Sequence, residues 1–179
     1  MPAALVGALV DGRPNYLTIA YCGAVNHEPP IISVGLNKKH YTNRGIKENG
    51  TFSLNIPSAD MVKITDYCGL VSGHRVDKSN IFKTFYGSLK TAPLIEECPL
   101  SLECRVVQVL ELAMQNVYLG QVIQAYAEDR FLTNGLPDIK KMNPIVFSMH
   151  DNNYWTVGEH LGRAWSIGKE LKAGLGGAR

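Results

Sequence analysis

The 179-residue chain has no C-x-x-C pair, and its four cysteines, Cys22, Cys68, Cys98 and Cys104, are widely spaced. That spacing disfavours a zinc site. So few thiols in a chain this long do not make a disulfide framework, and the expected setting is the cytoplasm. The five histidines are scattered, none is paired at i, i+4, and no H-E-x-x-H occurs. A metal centre therefore has little support. G-x-x-x-x-G-K-[ST] is missing, and so is G-x-G-x-x-G after a strand, which argues against a Walker loop and a Rossmann dinucleotide site. The G-x-S-x-G elbow of Ser-His-Asp hydrolases is missing too. No apolar run approaches the roughly 18 residues of a membrane span. The formal charge is only +2, with basic residues spread along the chain. No clustered basic face for nucleic acid stands out.

What remains is ordinary globular composition, with 45% hydrophobic and 19% charged residues. The expectation is one domain over residues 1–171, followed by a mobile Gly-rich tail at 172–179. The apolar start "MPAALVGALV" has no basic n-region and reads as a strand rather than a signal peptide. Residues 3–10 and 15–22 pattern as two strands joined by Asp11-Gly12-Arg13-Pro14, a hairpin signal. Residues 31–36 form a third strand. A short helix follows, with Thr42 or Asn37 as its cap and Asn49-Gly50 as its close. "TFSLNIP" is a strand stopped by Pro57, and a second helix runs from Ser58 to Gly69.

Residues 72–97 give no clear element and read as extended, broken by Pro93 and, beyond it, Pro99. From Pro99 the pattern alternates. Leu100, Leu102, Cys104 and Val106 share one face, and Ser101, Glu103 and Arg105 the other, as in a half-buried strand. It turns near Gln115-Asn116 and returns through "VYLGQVIQAYAE". Residues 143–150 form a further strand. Many strands with two or three short helices favour a mainly-β barrel over a parallel βαβ sheet.

Several stretches carry polar chemistry. Lys38, Lys39, His40 and Arg44 surround Tyr41-Thr42 at a helix start, where free N–H groups and the dipole favour a phosphate. On local sequence alone, a solvated basic turn is the better reading. Thr18, Tyr21 and Cys22 sit near a strand end beside Gly23; a planar ligand could lie against that backbone, but from these residues alone a plain strand end is the better reading. Asn55, late in an apolar strand, must find partners for its amide, within the chain or on a ligand. Cys68 has no placed base to make it a nucleophile, so inert packing is the better reading. In "YCGLVSG" (67–73) and the following Asp77-Lys78, a loop hydroxyl at Ser72, glycine backbone and a lysine suit an anionic or polar ligand. The aromatics of "YWTVGEHLGRAW" (154–165) suit a core or an interface.

The order of these pieces resembles the flavin reductase-like family of FMN-binding split-barrel proteins, above all its flavoredoxin branch. The matching segments are "PNYLTIAYCG", "PPIISVGLNKKHYT", "GTFSLNIPSAD", "DYCGLVSGHRVDK", "APLIEECPLSLECRV" and "YWTVGEHLGRAWSIG". The resemblance implies a six-stranded antiparallel Greek-key split barrel with flanking helices, acting as a homodimer with one non-covalent FMN per subunit. It implies that Thr18, Ile19, Ala20, Tyr21 and Cys22 lie along the isoalloxazine, largely through backbone groups. Asn37, Lys39, His40, Tyr41 and Thr42 would form the loop at the phosphate and ribityl chain. Asn55 would bond the flavin side, and Cys68, Gly69, Ser72, Gly73 and Lys78 would line the cofactor. Two departures stand out. Ser79-Asn80 follows the Asp-Lys pair where relatives usually place an aromatic, and the chain begins almost inside the first strand where relatives often carry a segment able to cover the flavin.

With FMN, the redox chemistry belongs to the cofactor, so no catalytic acid or base is assigned. Four functions follow for testing. One is an electron-transfer flavoprotein served by a ferredoxin-like protein or a small reductant. Another is an NAD(P)H:flavin oxidoreductase that releases reduced flavin. The others are a flavin-binding module without turnover and a barrel with no cofactor.

Overall fold

A computed structural model describes residues 1–169 and 171. The tail expected to be mobile, 172–179, lies outside the described residues. The chain is mainly β. In order, β1 (Ala4–Val10), β2 (Arg13–Ile19), β3 (Cys22–Asn26) and β4 (Ile31–Asn37) precede helix α1 (Thr42–Asn49). Then come β5 (Thr51–Ile56), a 3-10 turn at Ala59–Met61 and α2 (Val62–Leu70). Short strands β6 (Thr84–Phe85) and β7 (Leu94–Ile95) lead to the long hairpin of β8 (Leu100–Glu111) and β9 (Gln115–Tyr126). The last part holds β10 (Leu132–Thr133), β11 (Leu136–Pro137), α3 (Ile139–Met142), β12 (Val146–Ser148) and β13 (Asn153–Trp155).

Seven strands join in one antiparallel sheet, ordered β2-β1-β5-β8-β9-β4-β3. Helix α1 carries the chain from β4 to β5, which pairs with β1 on the far side. The sheet curls so that six strands share one core: Val6, Leu17, Val34, Phe52, Cys104 and Tyr118 meet Ile46 of α1. Past Cys22, β3 is exposed. It extends the edge of a six-stranded barrel rather than its interior. The opposite faces of β1 and β2 send Leu5 and Tyr16 into a second core with Cys68, Phe82, Ile95 and Cys98. Strand β1 is thus buried on both faces, which is why its sequence is a continuous apolar run.

Helix α1 lies close on β1 because Gly45 has no side chain. A Cβ there would stand 2.1 Å from the Leu9 carbonyl oxygen. Asn49 Nδ2 donates to Leu9 O at 3.1 Å and to Gly45 O at 2.9 Å, tying the helix end to the strand. Gly50 closes the helix in the left-handed conformation, φ 64°.

Four local expectations are corrected. Neither Thr42 nor Asn37 caps α1: the cap position is Tyr41, without a side-chain bond. The β8–β9 turn falls at 112–114, before Gln115. Residues 143–150 are not one strand; Asn143 ends α3 with φ 43°, and β12 starts at Val146. Ser101 and Glu103 do not face solvent, being 1% and 0% exposed. Ser101 Oγ donates to Ile95 O at 3.2 Å, and the chain at 87–89 covers Glu103, which accepts bonds from Ser88 N, Ser88 Oγ, Leu89 N and Tyr126 OH at 2.7–3.1 Å. Burial alone raises a carboxyl pKa, but these donors outweigh it and hold Glu103 below the usual range.

Candidate functional site

Two segments meet at one end of the barrel, residues 37–42 leading into α1 and 69–78 running on from the last turn of α2. The first is fixed by asparagines. Asn37 Oδ1 accepts from Lys39 N at 3.1 Å, and Asn37 O accepts from His40 N at 2.9 Å. Asn43 Nδ2 donates to Asn37 O at 2.8 Å and to His40 O at 3.0 Å. Its Oδ1 accepts from Tyr118 OH at 2.8 Å and from Asn116 Nδ2 at 3.1 Å. The loop is therefore pinned to β9 from beneath.

The second loop is fixed by a lysine. Lys78 is 2% exposed, and its Nζ donates to Cys68 O and Val71 O, each at 3.1 Å. It thereby satisfies carbonyls at the C-terminal end of α2, where a cation is favoured. Ser72 Oγ and O accept from His74 N at 3.3 Å and Arg75 N at 2.9 Å, giving the loop its turn. The loops touch at Gly73. A Cβ there would stand 2.3 Å from Asn15 Oδ1 and 2.5 Å from Tyr41 Cδ1, so only glycine permits this approach. Asn15 Nδ2 donates to Thr42 Oγ1 at 2.8 Å, and the His74 ring packs on Tyr41 at 4.6 Å between centroids.

Between the loops lies a cavity of about 100 Å³ bordered by His40, Thr42, Gly69, Ser72, Gly73 and Lys78. Lys78 has no carboxylate partner among the described residues. Burial lowers its pKa, slightly countered by Cys68. Burial lowers the His40 pKa as well, and the charge of Lys78 adds to this. Among the described residues, His40 Nδ1 is buried without a hydrogen-bond partner. A small cavity lined by an unneutralised ammonium, an orphaned ring nitrogen and hydroxyls fits an oxyanion such as a phosphate. Two open clefts of about 440 and 420 Å³ flank the Tyr41–His74 pair.

The residues singled out in the sequence divide into groups. His40, Tyr41, Thr42, Gly69, Ser72, Gly73 and Lys78 border the cavity together. Asn37 holds the loop from behind, and Lys39 lines the neighbouring cleft. Thr18 bonds through its hydroxyl to Thr65 O on α2. Ile19 points into the main core. Ala20 and Cys22 are partly exposed, and Tyr21 is exposed. Tyr21 O accepts from Gly35 N at 2.8 Å. Burial pushes the Cys22 thiol up to about 11, which leaves it protonated at neutral pH.

Two residues lie apart from the cavity. The Asn55 side chain is fully buried, donating to Leu5 O and Ser53 Oγ and accepting from Ile95 N at 3.0 Å. Its amide is satisfied within the chain, and it pins the 93–95 segment to β5. The Cys68 thiol is packed in the second core, and burial pushes its pKa to about 11 against the opposing charge of Lys78. Only the Cys68 carbonyl reaches toward the site, through Lys78.

Sequence reasoning missed Asn15, Asn43 and Asn116, which position the loops without bordering the cavity. Asn15 lies within the stretch "PNYLTIAYCG" and Asn43 directly follows Thr42, so position pointed near both. Nothing local marks Asn116, 73 residues from its partner Asn43.

Residues 1–145 match the flavin reductase like domain family. The flavoredoxin from Methanosarcina acetivorans is 54% identical, with a TM-score of 0.94 over 96% of this chain and 92% of that one. The flavoredoxin of Desulfovibrio vulgaris is 36% identical, with a TM-score of 0.86 over 93% of this chain and 92% of that one. A protein of Archaeoglobus fulgidus is 30% identical over 129 residues, 71% of this chain and 72% of the relative. With the barrel and the two-loop cavity in place, the match over residues 1–145 makes the chain a member of the flavin reductase-like family.

Proposed function

We propose that this protein is an FMN-binding flavoprotein of the flavoredoxin type, which passes electrons through a non-covalently held flavin. The observation that carries this reading is the pairing of Lys78 with a phosphate-sized cavity. Among the described residues its buried ammonium bonds only to carbonyls, and Lys78 lines the cavity together with His40 and Thr42. The 54% identity to a flavoredoxin over nearly the whole chain supports the choice of flavin. The phosphate would rest against Lys78, Ser72 and the loop at His40–Thr42. The ring would run along Thr18–Cys22, at the end of β2, where Ala20 and Cys22 are partly exposed and Tyr21 is exposed. FMN when bound supplies the one- and two-electron chemistry. The chain's part is to hold the phosphate, orient the ring and supply positive potential. Neither Cys22 nor Cys68, both protonated at neutral pH, is assigned a reacting role.

The active unit is a homodimer in this reading. Val107, Val109, Leu110, Leu112 and Met114 stand exposed on the distal β8–β9 hairpin, and Leu161, Trp165 and Ile167 stand exposed near the C-terminus. Apolar surface of this extent marks an interface. Sedimentation that gives a monomer at micromolar concentration would remove this part. The four free thiols fit the cytoplasm.

Visible spectra of the purified protein, taken anaerobically, test the whole. A flavin spectrum unchanged by NADH and NADPH but bleached by a reduced ferredoxin-type protein is the expected result. Rapid bleaching by NADH or NADPH instead assigns an NAD(P)H:flavin oxidoreductase. Flavin that no donor reduces leaves a storage module, and failure to retain added FMN through desalting overturns the proposal.

A further inference from the structure

The charge of the chain is unevenly placed. Three ion pairs border the two open clefts: Arg13–Asp77 at 3.1 Å, Arg44–Asp11 at 2.6 Å and Lys47–Glu111 at 3.6 Å. Each pair cancels its own charge. Four further cations line the clefts and the cavity, Lys38, Lys39, Arg75 and Lys78, and none has a carboxylate partner among the described residues. With the three pairs cancelled, this end of the barrel carries +4 in a chain whose formal total is +2, which leaves −2 for everything else. Lys38 and Lys39 stand exposed on one side of the Tyr41–His74 pair, and Arg75 stands exposed on the other. A phosphate in the cavity, at about −2, would be met by buried Lys78 and would still leave about +2 at this end, on the exposed rim.

We infer that this rim is the docking face for an acidic electron-donor protein. The inference rests on the reading that the cavity takes a flavin phosphate, and it adds the chemistry of the donor and the place where it docks. Two observations favour a protein. The free cations straddle two clefts of about 440 and 420 Å³. Each cleft alone has the size of a small-molecule site, so a small anion seated in one leaves the charge at the other unused. Carboxylates also interrupt the rim, at Asp11, Asp77 and Glu111. A nucleic-acid backbone or an anionic membrane is negative throughout and meets repulsion there. A protein face of mostly carboxylates with a few cations answers both signs. Complementarity of that kind fixes orientation and speeds encounter. The donor class is a one-electron iron–sulfur protein. Two donor molecules, each oxidised once, reduce the flavin by two electrons, and the accompanying protons come from solvent.

The test is calorimetric titration of the full chain, with and without FMN, using four probes: acidic ferredoxins of the [2Fe–2S] and [4Fe–4S] types, cytochrome c as a basic redox protein, heparin, and vesicles rich in phosphatidylserine. The natural sequence is compared with Lys38→Glu/Arg75→Glu and with Lys63→Glu/Lys90→Glu. Lys63 and Lys90 are exposed and line neither cleft, so the second variant matches the first in net charge. A ferredoxin should bind the natural protein and cytochrome c should not. Raising the ionic strength from about 0.01 M to about 1 M, which shortens the Debye length from roughly 30 Å to 3 Å, should weaken that binding by about tenfold or more. Lys38→Glu/Arg75→Glu should weaken it by about tenfold or more at low salt, the matched variant by no more than about twofold. FMN affinity within about threefold of natural shows that the rim variant keeps its fold. Equal weakening in the two variants would reduce the effect to net charge and overturn the inference. So would heparin or vesicle binding that depends on the rim when neither ferredoxin binds, which assigns the face to a nucleic acid or a membrane. FMN retention with no ferredoxin binding overturns the inference alone. Rim-dependent ferredoxin binding by a protein that does not retain FMN overturns the flavin reading and leaves the docking face standing.

Discussion

Lys78 Nζ sits 3.1 Å from the carbonyl oxygen of Cys68, ten residues earlier, so a buried ammonium both closes α2 and charges the cavity beside it. Structure and recognition thus share one side chain. Lys78→Met keeps its length and removes its charge. Two charge-assisted bonds are lost, while the desolvation of an ammonium is relieved, so stability should change by no more than about 2 kcal/mol. FMN affinity has no such compensation. A lost ammonium–phosphate contact of about 2–3 kcal/mol corresponds to roughly 30- to 150-fold in Kd. Fluorescence titration of FMN alongside urea unfolding checks both parts. An unchanged Kd would place the phosphate elsewhere.

His40 gives the site a pH signature. Burial, then the charge of Lys78, sets its folded pKa below the usual 6.5. Between the folded and unfolded values the unfolded chain holds a proton that the folded chain does not. Stability therefore rises with pH through that window and is lost as pH falls through 6.5 toward the folded value. His40→Asn removes the titration and keeps a polar group. The flavin-free variant should lose less stability than the natural protein between pH 7 and pH 5. Parallel losses in thermal unfolding at the two pH values would show that His40 is not the titrating group.

Fold class was legible because alternation and turn chemistry are local. The Asp11-Gly12 turn does join two strands, and Gly50 does end a helix with positive φ. The loop 69–78 was legible as a polar site through its glycines, serine and lysine. What stayed hidden was the state of each side chain. Asn55 and Cys68 have the composition of site residues, but contacts 40 residues away at Ile95 and in a second core decide their roles. Glu103 reads as a surface residue because its cover, Ser88 and Leu89, comes from a segment without periodicity. Long-range closure of this kind leaves no pattern in either partner.

Gly73 is the point where the two loops meet, and Gly73→Ala should separate them. The added Cβ would lie within 2.5 Å of Asn15 Oδ1 and the Tyr41 ring. Asn15 is 4% exposed and holds Thr42, so it cannot move aside without breaking that bond. Overpacking of this sort costs about 1–3 kcal/mol. Because the strain falls on both walls of the cavity, FMN Kd should rise at least tenfold, well beyond what the melting temperature shift reflects. A variant with natural FMN affinity would mean that the loop pair does not form the phosphate site. Gly23→Ala, where a Cβ meets nothing within 4 Å, is the matched control.

Asn55 tests the opposite case, a polar residue expected at the flavin that the fold uses internally. Its amide joins three strands: it donates to Leu5 O on β1, sits on β5, and accepts from Ile95 N on β7. Asn55→Ala leaves both of those backbone groups buried with one partner fewer, at about 1–3 kcal/mol for each group left unsatisfied. Chemical unfolding should show a loss of at least 2 kcal/mol. FMN affinity, measured well below the unfolding midpoint, should stay within threefold, since no Asn55 atom is exposed to a ligand. The decisive quantity is the ratio of the two effects. A small stability loss with a large affinity loss would mean that Asn55 turns toward the cofactor when flavin binds, and that the flavin-free arrangement of β5 is not the bound one.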